Sequence, residues 1–475
     1  MLAARFKSIR VDPQPLGREE NHVPRYRFTE SGIRSGITRR RFVQAAAAAA
    51  PLAFMFSLPR RVLGANERLN VACIGVTGRG GEDMDGVSGE NVVAICDVDA
   101  RNLAVAAKKE PIAKAKQFKD FRKMLDAMGN EIDAVVVGTP DHIHAPAGLA
   151  AMARHKHLYS EKPLAHNVRE IRLMREAAAK NKLATQMGTQ IHAGDNYRRV
   201  VELIQAGAIG KVARVHNWVP TSYSGSQTNV KRPEGTPPVP EGLDWDLWLG
   251  PAAERPYNPA YHPFWWRGWW DFANGALGDM ACHHMDLPYW ALGLRDPVSI
   301  ESEAPPFDSE ICPKWQIVDY HYPARGNQPP VHLTWYHGGK RPPEFDNADL
   351  NLPKQWSAGT LFVGEDGKML LADYDKYRLY PESEFKDFKK PEKTIPRSIG
   401  HHAEWIKACK EGTPTTCNFD YSGALAEAVL LGCVAHKAGK KIEWDAKAMR
   451  CTNAPEAQKF LTREYRKGWE LEHVA

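Results

Sequence analysis

The chain has 475 residues, of which 43% are hydrophobic and 25% are charged, a balance typical of folded globular proteins. This length suits two domains with a short extension. The formal net charge of +6 is small for the length and argues against a nucleic-acid partner, while eight cysteines without CxxC spacing argue against a zinc ribbon.

Residues 1–65 have the pattern of an export signal with a flexible lead. Arg39, Arg40 and Phe42 precede an apolar run over residues 45–58 that is too short for a membrane span, and small residues lead up to Ala65. The pattern resembles a Tat signal and predicts a folded, cofactor-loaded protein that the Tat machinery exports to the periplasm. An Ala-rich helical extension and an uncleaved anchor stay open as alternatives, and export would allow some cysteines to pair.

A glycine-rich turn follows the first apolar strand, which is predicted over residues 69–74. The turn departs from the G-x-G-x-x-G fingerprint, because a threonine stands at the second glycine position and a nearby glycine is expected to allow the close backbone approach. Backbone N–H groups at such a turn bind a pyrophosphate at the N-terminus of a helix. The predicted cofactor-binding residues of the turn are Gly75, Thr77, Gly78, Arg79 and Gly80.

The second strand, predicted over residues 91–96, ends at an acidic residue suited to a ribose. Asp97 follows Gly75 by roughly 20 residues, the separation typical of the acid that binds the ribose hydroxyls. A carboxylate there favours NAD over NADP, although Arg79 and Arg101 leave NADP open. Asp99 is the competing candidate and is expected to cap the next helix instead.

Strands continue to alternate with helices, which predicts a doubly wound parallel α/β sheet. Further strands are predicted over residues 131–138, 156–160 and 183–188, with a helix over 168–181. Ligands bind beyond the carboxyl ends of such strands. The residues expected at those ends are Thr139, Pro140, His144, Glu161 and Lys162.

The second half changes to longer strands, which predicts an α+β domain with an open, largely antiparallel sheet. Its predicted elements are a strand from Lys211, a loop over residues 223–242, strands over 315–322, 331–337, 360–363 and 368–371, and helices over 401–410 and 421–437. An aromatic run over residues 264–270 contains Trp266 and Arg267, which we expect to contact a sugar through its C–H face and its oxygens. Core packing is the alternative for any single ring.

These motifs resemble the glucose–fructose oxidoreductase/inositol dehydrogenase family (Gfo/Idh/MocA). The resemblance rests on the turn at residues 74–80, the strand end at 94–97, the segments 135–146 and 275–283, and above all Glu161-Lys162-Pro163. It implies a Rossmann domain over residues 66–190, a substrate and oligomerisation domain over 191–445 and a tail over 446–475.

The resemblance also implies site residues. Lys162 and His283 are the implied acid/base groups, and Asp279 is the implied partner of His283 or a substrate ligand. Asp279 and His283 are four residues apart, on one helix face. We expect burial to lower the pKa of Lys162. His284 is the alternative if the helix is rotated, and a metal site of Asp279, His283 and Asp286 is a weaker alternative, so no metal is predicted. His144 is implied on the nicotinamide side, with a packed or capping histidine as the alternative.

The resulting prediction is an exported NAD(P)-dependent oxidoreductase that acts on CH–OH groups of a sugar or polyol with a tightly bound cofactor. The family also implies a homo-oligomer. An NAD-dependent glycoside hydrolase and a non-catalytic sugar-binding protein stay open as alternatives.

Overall fold

The computed structural model describes residues 67–226 and 230–471, all within one compact unit over residues 62–475. The predicted export signal over residues 1–65 therefore lies outside the described residues. Among the helices that are described, none is long and apolar enough to cross a membrane.

Six parallel strands form the first sheet, in the order β3-β2-β1-β4-β5-β6. The central strands are buried on both faces, which explains runs such as the four consecutive apolar residues of β4. The doubly wound parallel sheet is confirmed. Its strands are β1 (Asn70–Ile74), β2 (Asn91–Cys96), β3 (Lys116–Phe118), β4 (Ala134–Val137), β5 (His157–Glu161) and β6 (Thr185–Gly188).

Helices join these strands, and in three of the five a short polar side chain caps the first turn. Asp99 accepts a hydrogen bond from the Arg101 N–H at 2.9 Å and caps the next helix, as predicted. Asn167 caps the helix after β5 in the same way. The helices of this domain are α1 (Gly78–Gly86), α2 (Ala100–Ala106), α3 (Phe121–Met128), α4 (Asp141–Ala153) and α5 (Val168–Lys180).

Nine strands form the second sheet, in the order β13-β12-β11-β7-β10-β9-β8-β14-β15. Only β7 and β10 pair in parallel, so the prediction of a largely antiparallel sheet is confirmed. The strands are β7 (Arg214–Trp218), β8 (Ser299–Glu303), β9 (Gln316–Tyr322), β10 (Val331–His337), β11 (Gly359–Val363), β12 (Met369–Ala372), β13 (Tyr377–Tyr380), β14 (Ile442–Asp445) and β15 (Arg450–Cys451).

Two long, mostly buried helices join the two domains, α8 (Gly275–Leu292) and α10 (Phe419–Ala438). Helix α10 packs on α5 and on β8, and its Glu427 pairs with Arg172 of α5. The helices of this half are α6 (Asp195–Gln205), α7 (Trp245–Leu249), α8 (Gly275–Leu292), α9 (His401–Glu411) and α10 (Phe419–Ala438). Short 3-10 turns lie at Ile112–Lys114, Gln190–Ala193, Trp265–Gly268, Pro343–Asp346, Ala348–Leu350, Glu365–Gly367, Glu382–Phe385 and Pro455–Leu461.

The connection between β7 and α8 extends across to the first domain. Backbone hydrogen bonds join Ala100 N–H to the Gly242 carbonyl at 3.0 Å and Asp244 N–H to the Val98 carbonyl at 2.9 Å, directly after β2. The tail returns to the same region, where Trp469 lies beneath the guanidinium of Arg122 at 4.1 Å. Two segments distant in sequence therefore cover the edge of the sheet where β2 ends.

All eight cysteines lie among the described residues, and each is a buried free thiol. Cys73 and Cys96 belong to the core of the first sheet, as predicted. The alternative in which some of the others pair is not what the structure shows.

Candidate active site

A cavity of about 710 Å³ lies along the carboxyl ends of β1, β2, β4 and β5. This is the edge where parallel sheets bind their ligands, and the volume is that of a small-molecule site. The strand ends contribute Gly75, Asp97, Thr139, Glu161 and Lys162 to its wall. Pro140, Trp266 and Arg267 line it as well, so most of the predicted site residues share one cavity.

The turn after β1 fits a dinucleotide. Gly75 has φ +78°, and a Cβ on Gly80 would lie 2.3 Å from the Gly75 carbonyl oxygen, so both positions require glycine. Thr77 is extended at φ −132° and needs no glycine, which explains the departure from the fingerprint. Helix α1 begins at Gly78 without a side-chain cap. Its first N–H groups thus lie at the cavity wall, suited to a pyrophosphate.

Asp97 is held at the cavity wall by three donors. Its carboxylate accepts hydrogen bonds from the backbone of Val76 at 3.2 Å and Asp99 at 2.9 Å, and from Asn102 Nδ2 at 3.1 Å. Burial raises the pKa of Asp97, and these hydrogen bonds oppose that rise. Arg101, the residue that left NADP open, forms a bidentate pair with Asp99.

Two cations line the cavity, Lys162 and Arg267, and both contact Asp279, which is not itself among the lining residues. Lys162 Nζ donates to Asp279 Oδ1 at 2.7 Å, and Arg267 Nε lies 3.5 Å from the same oxygen. On α8, Asp279 and His283 are half-buried whereas most neighbouring positions are buried. The side chain of Tyr223 also hydrogen bonds Asp279. Three distant segments therefore meet at one carboxylate.

The electrostatics correct one expectation about Lys162. Burial, the largest influence, lowers its pKa, but Asp279, Glu161 and Asp141 together outweigh it, so the pKa is raised above its ordinary value. Asp279 is the counterpart: burial opposes ionisation, yet Lys162 and Arg267 hold its pKa at about 2. Lys162 is thus an ammonium and Asp279 a carboxylate at neutral pH.

His283 is a neutral imidazole in this setting. Burial is the largest cause that lowers its pKa well below 6.5, and the Lys162 charge adds to it. Its ring nitrogens have no hydrogen-bond partner within the part of the chain that is described, which leaves a lone pair available for a proton. The partner of Asp279 is therefore Lys162, not His283.

Asp141 is a site residue that sequence reasoning missed. It is the first residue of α4, lies in the cavity wall and is buried. Burial raises its pKa to about 7, and the charges of Lys162 and Asp279 act on it in opposite directions. The sequence signal for it is its position directly after Thr139 and Pro140, at a predicted strand end.

None of the three predicted histidines is among the residues that line the cavity, and two of them pack elsewhere. His144 Nε2 contacts the Thr139 carbonyl oxygen at 2.7 Å, so it packs behind the strand end, as its alternative held. His284 is buried, with its ring stacked on Tyr374 and its Nε2 3.0 Å from the phenol oxygen. The helix rotation that would place His284 in the cavity is wrong.

Asp286 does not join Asp279 and His283, so the metal alternative built on those three residues is wrong. Asp286 is buried, and its carboxylate bonds His192 Nδ1 at 2.9 Å and the Tyr421 hydroxyl at 2.8 Å. Its neighbours among the described residues that could ligate a metal are His192 and Cys417 instead.

The aromatic run divides between cavity and core. Trp266 lines the cavity, and the Arg267 guanidinium stacks on its ring at 4.2 Å. Phe264 lies on the other side of Arg267 at 4.9 Å and is 48% exposed at the cavity rim. Trp269 is fully buried, so core packing is correct for that ring.

Two family descriptions match the chain. An oxidoreductase family's NAD-binding Rossmann fold matches residues 69–189, and the same family's C-terminal alpha/beta domain matches residues 194–328. Together they cover more than half of the 475 residues. The Rossmann domain is thus of the NAD-binding type.

Similar proteins are sugar and polyol enzymes by their names. An inositol 2-dehydrogenase of Salmonella paratyphi B is 30% identical over 131 residues, which are 27% of this chain and 38% of that one. A glycosyl hydrolase family 109 protein of Saccharopolyspora erythraea is 28% identical over 158 residues, 31% of this chain and 34% of that one. The chain therefore spans less than half the length of these curated relatives.

Solved structures share the fold. The WlbA dehydrogenase of Bordetella pertussis, crystallised with NADH and UDP-GlcNAcA, superposes with a TM-score of 0.55 at 17% identity, over 80% of this chain and 99% of that one. With both domains matched in sequence and the fold shared, the chain belongs to the Gfo/Idh/MocA oxidoreductase family.

Proposed function

We propose that this protein is an NAD-dependent oxidoreductase that moves a hydride between bound nicotinamide and a hydroxyl-bearing carbon of a sugar or polyol. The observation that carries the proposal is the contact of Asp279 Oδ1 at 2.7 Å with Nζ of Lys162, which lines the cavity that begins at the glycine turn. NAD, when bound, supplies the hydride acceptor. The residues of the chain then have to manage the hydroxyl proton and the charge on oxygen.

Lys162 and His283 divide that work. The Lys162 ammonium donates a hydrogen bond to the reacting oxygen and stabilises negative charge on it, which is the electrostatic role of a fixed cation. Asp279 orients the ammonium. His283, neutral and with a free lone pair, accepts the hydroxyl proton as general base.

The surrounding residues favour a polyhydroxylated substrate. Trp266 offers an apolar face, whereas Arg267 and Asp141 offer a donor and an acceptor to hydroxyl groups in the same cavity. Such a combination suits a sugar ring, which has apolar C–H faces and polar edges. The relatives named as inositol dehydrogenases support a polyol of this kind.

A tightly held cofactor fits the cover over the cavity. The backbone bonds of Gly242 and Asp244 to the end of β2, and Trp469 in the cavity wall, lie at the side where Asp97 would hold the ribose. Retention would suit a protein exported through the Tat pathway to the periplasm, where free NAD is scarce. We also propose a homo-oligomer, since the second sheet is open.

The test is to release the nucleotide that copurifies with the protein, identify it, and screen sugars and polyols for its reduction. Lys162→Met and His283→Asn should each lower the rate of cofactor reduction about a hundredfold or more, while His321→Asn, on the second sheet, serves as control. Unchanged reduction in both variants would favour a non-catalytic sugar-binding protein instead.

An NAD-dependent glycoside hydrolase is the second candidate, because a family 109 relative matches over 158 residues. Both activities need a hydride acceptor and a base beside the sugar. Release of the phenol from an aryl glycoside without net NADH formation would favour the hydrolase, and net NADH formation from a free sugar would favour the dehydrogenase.

A further inference from the structure

Two buried acids meet beneath the cofactor cavity. Asp83 lies on α1 and Glu161 ends β5, and the amide nitrogen of Gln190 lies within 3.5 Å of an oxygen of each. One oxygen of each, Asp83 Oδ2 and Glu161 Oε2, is buried with no N–H or O–H donor among the described residues. Two carboxylate oxygens cannot satisfy each other unless a proton lies between them.

The other two oxygens already have partners. Gln190 Nε2 donates to Glu161 Oε1 at 2.5 Å and lies 3.5 Å from Asp83 Oδ1, so one amide bridges both acids. His402 Nε2 lies 3.0 Å from the same Asp83 oxygen. The Gln190 amide serves Oδ1 and Oε1 as donor, and His402 Nε2 is an acceptor when its ring proton is on Nδ1, so a shared proton is what remains for the other two oxygens.

Burial places the titration of the pair near neutral pH, and the surrounding cations oppose it. Burial, the largest cause, raises the pKa of Asp83 to about 7 and that of Glu161 to about 8, where the Asp83 charge is the second cause. Arg79 and Lys162 oppose the rise. The titratable and charged groups facing the pair are Arg79 and Glu82 from α1, Tyr159 and Lys162 from β5 and its end, and His402 from α9.

The pair also connects two environments. Glu161 lines the cavity beside Lys162. At the other end, the His402 side chain is 18% exposed, and its ring stacks on Tyr159 with centroids 4.8 Å apart. We propose that Glu161, Asp83 and His402 form a proton path that links the cofactor cavity to solvent at α9.

The path removes the proton that the proposed oxidation releases, and it therefore rests on the proposed function. Each hydride taken from a CH–OH carbon leaves one hydroxyl proton in the cavity. His283 takes that proton first and passes it to Glu161, the shared proton shifts to Asp83, the unprotonated Nε2 of His402 takes one from Asp83, and Nδ1 of His402 releases one to water. Every group returns to its starting state, and reduction of a carbonyl runs the path backwards.

The shared proton can be tested in the resting protein without substrate. Infrared spectroscopy should show the carbonyl stretch of a protonated carboxylic acid near neutral pH, shifted in D2O. Asp83→Asn and Glu161→Gln should each remove the same band, whereas Asp141→Asn, at a separate buried acid, should leave it. A band that persists in Asp83→Asn would overturn the shared proton, and so would two different bands lost in the two variants.

The path itself is tested by rescue. His402→Gln should slow cofactor reduction by the holoenzyme about tenfold or more at neutral pH, and added imidazole should restore the rate. Lys407→Gln, on an exposed turn of the same helix, is the matched control and should keep the wild-type rate. A wild-type rate in His402→Gln, or a loss that imidazole does not restore, would overturn the path. If no sugar or polyol reduces the cofactor, the proposed function fails, while the infrared result stands separately.

Discussion

Replacing Asp279 with asparagine separates the charge of this residue from its shape. Asp279 is the carboxylate between two cations, with Lys162 Nζ at 2.7 Å and Arg267 Nε at 3.5 Å from Oδ1. The Lys162 and Asp279 side chains are only 14% and 13% exposed, so water screens the pair weakly. Asparagine keeps an oxygen that accepts from Lys162 but loses the negative charge.

The size of the effect follows from the pair geometry. Unit charges about 4 Å apart attract by about 4 kcal/mol at an effective dielectric constant of about 20. A neutral acceptor retains roughly half of a charge-assisted hydrogen bond, so Asp279→Asn should cost about 2 kcal/mol in the orientation of Lys162. At about 1.36 kcal/mol per tenfold change, kcat/KM should fall about thirtyfold.

The pH dependence provides the second readout. Losing the Asp279 charge removes the strongest influence that raises the pKa of Lys162, so the alkaline fall in rate should begin at lower pH than in the wild type. The wild-type pair should persist on the acid side, because the pKa of Asp279 is about 2 against 3.8 ordinarily. Its stabilisation is complete above the ordinary value and is lost as pH falls through about 2.

The assay is steady-state reduction of the bound cofactor from acid to alkaline pH, with thermal unfolding measured in parallel. Asp126→Asn removes the same charge from an exposed pair with Arg154 and is the matched control. An unchanged kcat/KM together with an unmoved alkaline limb in Asp279→Asn would refute the assignment of Lys162 as an oriented ammonium.

Three further predictions concern the cofactor and the buried acids. Asp97→Asn should weaken NAD binding about tenfold, since a hydrogen bond to a charged acceptor contributes about 1.5–3 kcal/mol. The same change should reduce the preference for NAD over NADP. Fluorescence titration of the apoprotein with each nucleotide measures both effects. Trp469→Ala should speed nucleotide dissociation, measured as the nucleotide retained after dialysis. As pH rises from about 4 to 8 the protein should lose stability in urea, because Asp83, Asp141 and Glu161 have folded pKa values of about 7, 7 and 8 against ordinary values of 3.8, 3.8 and 4.5. The loss begins at the ordinary pKa values, where only the unfolded chain releases these protons, and ends once pH has passed the folded values. Asp141→Asn should reduce the slope.

Most of the fold could be predicted from hydrophobic runs in the sequence. The strand predicted over residues 91–96 is β2 residue for residue, because an apolar run there ends at a polar residue. The strand predicted over 131–138 begins later, at Ala134, because the Asp133 side chain accepts from the Asn70 N–H instead. Strand β3 was missed, since its three residues Lys116–Phe118 are short and mostly polar.

The site was predictable where its residues follow strand ends, and unpredictable where the fold assembles it. Lys162 and Asp279 lie in local motifs, so sequence alone points to both. The contact of Asp83 with His402 spans 319 residues, and no local pattern marks either residue. The predicted direction of the Lys162 pKa shift was wrong for the same reason, because the shift depends on how many acids the fold places around one ammonium.

Carboxyl groups at the cavity wall and directly next to it thus have different protonation states, and the placement of two cations decides which of them is ionised. Asp279 contacts both Lys162 and Arg267, and its pKa is about 2. Asp141 and Glu161 are more deeply buried and have no ion pair with either cation, so the effect of burial on their pKa values prevails. Carboxyl groups whose pKa values are separated in this way can serve two purposes with the same residue types. One is a fixed anion for positioning, and the others are neutral acids for proton transfer. It follows that moving a cation, as in Arg267→Ala, should raise the pKa of Asp279 while leaving the buried acids protonated, so positioning and proton transfer can be altered separately.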